Sequence, residues 1–189
     1  MRAVACVALA IIGVAVASPT GARTHKASRF TPPPGAQDSG HTFLGAFKDW
    51  SAFSRGSGDA RVCYMLSEPK AKEPASANRD PAYFLINDWP GRRARGEAEV
   101  VPGYQYREGS TVKVQVGKES FDFFTKNQGS SGGAWVLNPA DEKQLLAAMR
   151  AGLTAIVTGT SKRGTETRDI YGLSGMGDAL DKIHDACGM

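Results

Sequence analysis

The chain of 189 residues is 41% hydrophobic and carries a formal net charge of +4, with much of the positive charge near its start. Arg23, Lys26 and Arg29 against Asp38 hold about +2 of that excess, and Arg2 holds another, so residues 42–189 are close to neutral. This distribution argues against the continuous basic groove that tracks phosphates, and we expect no nucleic-acid partner.

Residues 1–17 have the pattern of a secretory signal peptide. Arg2 is the only charge, the run that follows is apolar, and Ala15-Val16-Ala17 is a small-x-small cleavage site before Ser18. No later segment approaches the roughly 20 apolar residues that a membrane span needs. We therefore expect an exported protein, periplasmic or secreted, without stable membrane insertion after the signal is cleaved.

The cysteines support the same compartment. Cys6 lies inside the apolar run and is expected to leave with the signal peptide, so that Cys63 and Cys187 remain. An even pair in an oxidising compartment favours a disulfide. The alternative interpretation is two buried free thiols.

A leader separates the signal from the folded part. Residues 18–41 are rich in Pro, Ser and Thr and include the triple proline Pro32 to Pro34, which is typical of a flexible, partly extended segment. The folded domain is expected over residues 42–189, as one domain large enough to bury its own core.

Short apolar segments separated by turns dominate this domain. Val112, Val114 and Val116 alternate with polar residues and give the clearest half-buried strand. The predicted strands are 43–53, 60–67, 82–87, 111–116, 120–125, 134–137, 153–159 and 165–173. At least seven short strands predict a mainly β protein, an antiparallel sandwich or barrel.

Two short helices are predicted within this β pattern. The first follows Asn138 as N-cap and Pro139, buries Leu145, Leu146 and Met149, and ends before Gly152. The second follows Ser174 as N-cap, and its buried stripe is spaced 3 to 4 residues apart at Met176, Ala179, Leu180 and Ile183. We expect this helix to dock on the sheet and to be linked there through Cys187.

One loop carries a candidate interaction surface. Trp89-Pro90-Gly91 ends a predicted strand, and Arg92, Arg93 and Arg95 follow it. A loop that exposes Trp89 together with arginines suits a protein or an anionic glycan or lipid surface. The alternative is a solvated turn whose charge is offset by Glu97 and Glu99.

Several short motifs follow one another in a characteristic order along the domain: Asp49-Trp50, Cys63, Gly103-Tyr104, the helix ending AAMRAG and the terminal YGLSGMGDAL. This order resembles the invasion-associated locus B family of exported alphaproteobacterial proteins, and the resemblance covers about residues 45–187. The resemblance implies an immunoglobulin-like β-sandwich. Many relatives carry a further cysteine where this chain has Phe53-Ser54, so a single bridge is expected here. The family name transfers little about activity, because fold-level analogy does not establish function.

Chemistry at a catalytic or metal site finds little support in the residues. Ser130-Ser131-Gly132-Gly133 is superficially similar to hydrolase loops, but a hydrolase also needs a histidine base oriented by a carboxylate, and His184 beside Asp181 has the spacing of ordinary helix-surface neighbours. No histidine or cysteine pair has zinc-site spacing, and no cofactor is expected.

We therefore expect a non-enzymatic module of the cell envelope that contacts an envelope or host protein. The alternatives are a secreted hydrolase that uses Ser130 and Ser131, and a purely structural envelope component. The sequence leaves the partner and the oligomeric state open.

Overall fold

The structure is a computed structural model that describes residues 40–189. The predicted signal peptide at 1–17 and the predicted leader, 18–41, lie outside the described residues except for Gly40 and His41, and the folded part begins at His41, one residue before the predicted start at 42. Within residues 40–189, eleven strands and two α-helices form the fold. Neither helix in this range is long and apolar enough to cross a membrane.

The strands follow one another closely along the chain. They are β1 His41–Phe47, β2 Trp50–Arg55, β3 Val62–Ser67, β4 Ala71–Glu73, β5 Tyr83–Trp89, β6 Ala94–Val101, β7 Thr111–Val116, β8 Glu119–Gln128, β9 Ser131–Val136, β10 Thr154–Thr160 and β11 Glu166–Gly172. The helices are α1 Glu142–Ala151, between β9 and β10, and α2 Met176–Cys187, after β11.

All strand pairs are antiparallel, in the order β1-β2-β3-β5-β6-β9-β8-β7-β10-β11-β4. The sheet folds over itself, because side chains from strands far apart in this order meet in one core. Phe84 of β5 meets Tyr171 of β11 edge to face, with ring centroids 5.6 Å apart. The predicted mainly β, immunoglobulin-like antiparallel sandwich with two short helices is confirmed.

Alternation explains how the strands fill this core. On β7 the three valines at 112, 114 and 116 are buried, whereas Thr111, Lys113 and Gln115 are exposed, as predicted. The inward residues of β5 and β8 continue the same layer with Phe84, Ile86, Phe121 and Phe123. Each strand thus contributes one face to a single apolar interior.

The single strand predicted over 43–53 is wrong, since the segment forms two strands. Lys48 has a φ of 55° in the turn between β1 and β2, which pair antiparallel from His41–Arg55 to Phe47–Trp50. Two further strands were not predicted. β4 lies in what reads as a linker, and β6 buries only Gly96, Ala98 and Val100 between charged residues, which is a weak hydrophobic signal.

The two helices form where they were predicted, with corrections at both N-caps and at Leu146, which is only partly buried beside the buried Leu145 and Met149. The Asn138 side chain accepts a hydrogen bond from Ala140 N at 3.2 Å in a 3-10 turn before α1. The predicted buried stripe of α2 is confirmed. Ser174 is not its N-cap, because Gly175 takes that position with a φ of 82° and lies so close to the Phe47 carbonyl that a side chain would not fit.

Candidate functional site

The end of the fold where β3 begins is held by a covalent link to α2. Cys63 and Cys187 form the predicted disulfide, with an S–S distance of 2.08 Å and Cα atoms 5.9 Å apart. Cys63 is fully buried on the inner face of β3. The disulfide joins residues 124 positions apart and fixes the last helical turn of α2 to the sheet.

A buried polar pair lies beside this disulfide. Asp88, the cross-strand neighbour of Cys63, receives a hydrogen bond from Gly96 N at 2.8 Å and contacts His184 Nδ1 through its other oxygen at 2.6 Å. Asp88 is completely buried and His184 nearly so. The disulfide and the polar pair each join one residue of α2 to one residue of the sheet. We call these four residues, Cys63, Cys187, Asp88 and His184, the helix clamp.

The sequence suggested that His184 and Asp181 are neighbours on the surface of the helix. In the structure His184 does not pair with Asp181. Asp181 instead binds Arg150 of α1, and the hydrogen bond from that guanidinium lowers the pKa of Asp181 below its ordinary value. The alternation of β5 could have revealed the true partner, because Asp88 shares the inward face of Phe84 and Ile86. A carboxylate on a buried face requires a partner.

The predicted interaction surface lies at the same end, on the turn between β5 and β6; we call residues 89–95 the Trp–Arg turn. Arg92, Arg93 and Arg95 are exposed, as a solvated turn requires. The Arg92 guanidinium lies 4.2 Å from the centroid of the Trp89 ring and 3.4 Å from a Glu97 oxygen. The expected exposure of Trp89 is wrong: the ring is partly buried, and its Nε1 is buried without a hydrogen-bond partner within residues 40–189.

The opposite end of the β5–β6 hairpin carries a cleft of about 750 Å³, which we call the loop-end cleft. Four segments meet there, and their lining residues are mostly polar. The principal ones are Ser76, Asn78, Arg79, Tyr104, Ser130 and Lys162. Its size is within the range of small-molecule sites in proteins.

A buried ion pair forms the floor of this cleft. Arg79 binds both carboxylate oxygens of Asp169, through Nη1 at 2.9 Å and through Nη2, and Nη1 also donates to the Pro102 carbonyl at 3.1 Å. Both side chains are only 4% exposed. Burial lowers the pKa of Arg79, but the hydrogen bond and charge of Asp169 outweigh it and leave that pKa above its ordinary value. The loop that carries Arg79 is therefore fixed to β11.

Tyrosines complete the floor. The Tyr104 hydroxyl lies 2.6 Å from Thr167 Oγ1, and the Arg79 guanidinium lies 5.8 Å from the Tyr104 ring centroid. Burial raises the pKa of Tyr104 and, more strongly, that of Tyr106 beneath it. Both phenols are therefore neutral hydrogen-bonding groups at physiological pH.

The rim of the cleft is cationic. Lys162 and Arg163 lie in the exposed β10–β11 turn, and the Lys162 backbone N–H donates to the Gln105 carbonyl at 2.7 Å. Lys162 Nζ also reaches Gln105 Oε1 at 3.3 Å. Neither cation has a carboxylate partner within residues 40–189, so both charges are available to solvent.

The structure separates Ser130 from the histidine that the alternative hydrolase interpretation would need. Ser130 lines the cleft, whereas Ser131 begins β9. Neither described histidine lines the cleft with Ser130: His184 belongs to the helix clamp, and His41 Nδ1 lies 2.7 Å from the Tyr64 hydroxyl. Within residues 40–189, no group of three or more His, Cys, Asp and Glu side chains has the geometry of a metal site.

A family model and a solved structure are each similar to this chain. The family model described as "Invasion associated locus B (IalB) protein" matches residues 50–184. The crystal structure of invasion associated protein B from Bartonella henselae superposes with a TM-score of 0.55 at 17% identity, covering 78% of this chain and 99% of that one. That likeness supports the fold alone. No curated protein matches the chain.

Proposed function

The chain belongs to the invasion associated locus B family, and from that premise we propose that it is an exported, non-enzymatic protein of the cell envelope that acts by binding a partner protein. The Trp–Arg turn is the proposed contact surface. The partner is an envelope or host protein whose complementary surface is acidic.

Export is supported by two independent features. Residues 1–17 have the signal-peptide pattern, and the two cysteines that remain after residue 17, Cys63 and Cys187, are paired in a disulfide. Structural disulfides persist in oxidising compartments and are rare in the cytosol. Periplasm and extracellular space are both consistent with this chemistry.

The observation that carries the binding proposal is the arrangement of the three arginines. Arg93 and Arg95 are exposed and have no ion pair within residues 40–189, whereas Arg92 is stacked on Trp89 and paired with Glu97. The stacked pair stiffens the turn, so that less entropy is lost in ordering this loop when the neighbouring arginines contact a partner. Arginine and tryptophan are also enriched among residues that dominate binding energy.

A non-enzymatic role is supported by the placement of Ser130. A serine nucleophile needs a base within hydrogen-bond reach, and the two histidines of residues 40–189 have other partners away from the cleft. The hydrolase alternative keeps one favourable observation, since Ser130 lines the cleft. If the protein is a purely structural component of the envelope, no single surface substitution should abolish binding to a partner.

Cross-linking with mass spectrometry in the native envelope tests partner and location together. Mass spectrometry of the purified protein should give a mature N-terminus at Ser18. The Arg93→Ala/Arg95→Ala variant should lose the partner cross-links of the wild type, because the acidic surface loses its counter-charges. Lys118→Ala/Lys126→Ala removes the same charge elsewhere on the surface and should keep them.

Four results would contradict the proposal. An uncleaved, cytoplasmic protein would remove the exported role. Equal loss of cross-links in both double variants would show a general charge effect, and unchanged cross-links in both would favour the structural component. Ester or peptide hydrolysis by the purified protein that disappears in Ser130→Ala would establish the hydrolase alternative.

A further inference from the structure

We propose that the loop-end cleft binds an acidic sugar, a saccharide that carries a carboxylate. This site lies at the other end of the β5–β6 hairpin from the Trp–Arg turn, separated by a strand of seven residues, about 20 Å. The inference is therefore independent of the proposed function, and either can fail without the other.

The cleft is held open by contacts that do not involve a ligand. The bidentate Arg79–Asp169 pair fixes the 74–80 loop, and the backbone of Asp80 donates to the Gly103 carbonyl at 3.0 Å. The Gly132 N–H donates to the Tyr104 carbonyl at 2.8 Å and joins a second wall to the same segment. A site whose walls are fixed in advance loses little entropy when a ligand binds.

The charge of the lining selects an anion. Asp169 neutralises Arg79 in the floor, so the free charges are Lys162 and Arg163 against the single carboxylate of Asp80. Lys162 is held over the cleft by its contacts with Gln105, which places a cation at the rim. A ligand carboxylate between Lys162 and Arg163 would form charge-assisted hydrogen bonds.

The remaining lining selects a hydroxyl-rich ligand over an apolar one. Short polar side chains line the cleft and offer both donors and acceptors: Ser76, Asn78, Ser130 and Thr165. Side-chain hydroxyls and amides serve as both donor and acceptor, and so do sugar hydroxyls. The volume of about 750 Å³ accommodates more than one sugar ring.

The test uses the mature, oxidised protein and four probes at constant ionic strength: galacturonate, tetragalacturonate, galactose and inorganic phosphate. Calorimetry or NMR titration should show binding of both uronates. Galactose and phosphate should each bind at least about tenfold more weakly, since one lacks the charge and the other lacks the hydroxyl-bearing ring. Amide signals near Ser130 and Lys162 should shift with tetragalacturonate, and those of the Trp–Arg turn should not.

The variants separate the site from general charge. Lys162→Ala/Arg163→Ala changes two exposed residues, so its thermal unfolding should match the wild type while uronate affinity falls about tenfold or more. The charge-matched Lys118→Ala/Lys126→Ala variant should bind as the wild type does. Equal affinity for phosphate or for galactose, no uronate binding, or equal losses in both variants would each overturn the proposal.

Discussion

The two ends of the sandwich each contain a buried aspartate, and they use it differently. At the helix clamp, Asp88 contacts His184 beside a disulfide. At the loop-end cleft, Asp169 binds Arg79 beneath about 750 Å³ of open space. One end closes a helix onto the sheet, whereas the other fixes a loop so that a cavity stays open. A buried aspartate in this fold therefore either closes an element onto the sheet or supports an open site, depending on what lies above it.

The largest effect should come from removing the covalent part of the helix clamp. Cys187→Ser opens a loop of 124 residues, for which the chain-entropy model gives a loss of about 4 to 5 kcal/mol in the free energy of unfolding. Urea denaturation under oxidising conditions measures this loss. The reduced wild type is the matched control and should unfold at the same urea concentration as the variant. If the oxidised wild type and the variant had the same urea midpoint, the prediction would be contradicted.

At the cleft end, the second-largest loss in the free energy of unfolding should come from a buried charge that is left without its partner. Arg79→Met leaves Asp169 buried without its cation, which costs about 3 to 5 kcal/mol. The double variant Arg79→Met/Asp169→Leu removes both charges and should recover much of that loss. Urea denaturation of the two single variants and the double variant gives the coupling energy. A loss in the free energy of unfolding under about 1 kcal/mol for Arg79→Met would contradict this prediction. It would show that the cleft floor is not rigid, because a rigid floor would keep the unpaired Asp169 buried.

The smallest effect should come from the exposed tie between α1 and α2. Arg150→Ala removes the partner of Asp181, whose side chain is 62% exposed, so the loss should stay under about 1 kcal/mol. Because Arg150 lowers the pKa of Asp181 in the folded state, this contribution is present above the ordinary aspartate value and disappears as pH falls through the lowered one. Denaturation at pH 6 and at successively more acidic pH checks this: the difference between wild type and variant should be present at pH 6 and should shrink as the pH falls below the ordinary aspartate value.

The sequence predicted the features that depend on a strong local pattern. The valine alternation of β7 and the apolar stripe of α2 are confirmed, as are the disulfide and the family. Strand β6 was not predicted because its inward residues are small, so the alternation is masked by the charged outward ones. The hairpin of β1 and β2 depends on a left-handed backbone at Lys48, a residue with no particular preference for it.

The candidate sites were less predictable, since they join residues far apart in the chain. Arg79 and Asp169 are 90 positions apart, and Asp88 and His184 are 96 apart. Neither pair has a sequence signature, whereas the close spacing of His184 and Asp181 suggested a wrong pairing. The Trp–Arg turn was recognisable from composition, but the packing of Trp89 depends on Arg92 folding back over its ring.

The position of the disulfide determines how the domain responds to mechanical tension. Force applied at residues 40 and 189 passes along β1 and β2 to Cys63, crosses the sulfur–sulfur bond to Cys187, and bypasses the chain between them. Strands β4 to β11 therefore lie off the covalent path, which runs only through residues 40–63 and 187–189. The loop-end cleft and the Trp–Arg turn both belong to the bypassed segment, so tension reaches them only through the noncovalent contacts of the first hairpin with the rest of the sheet.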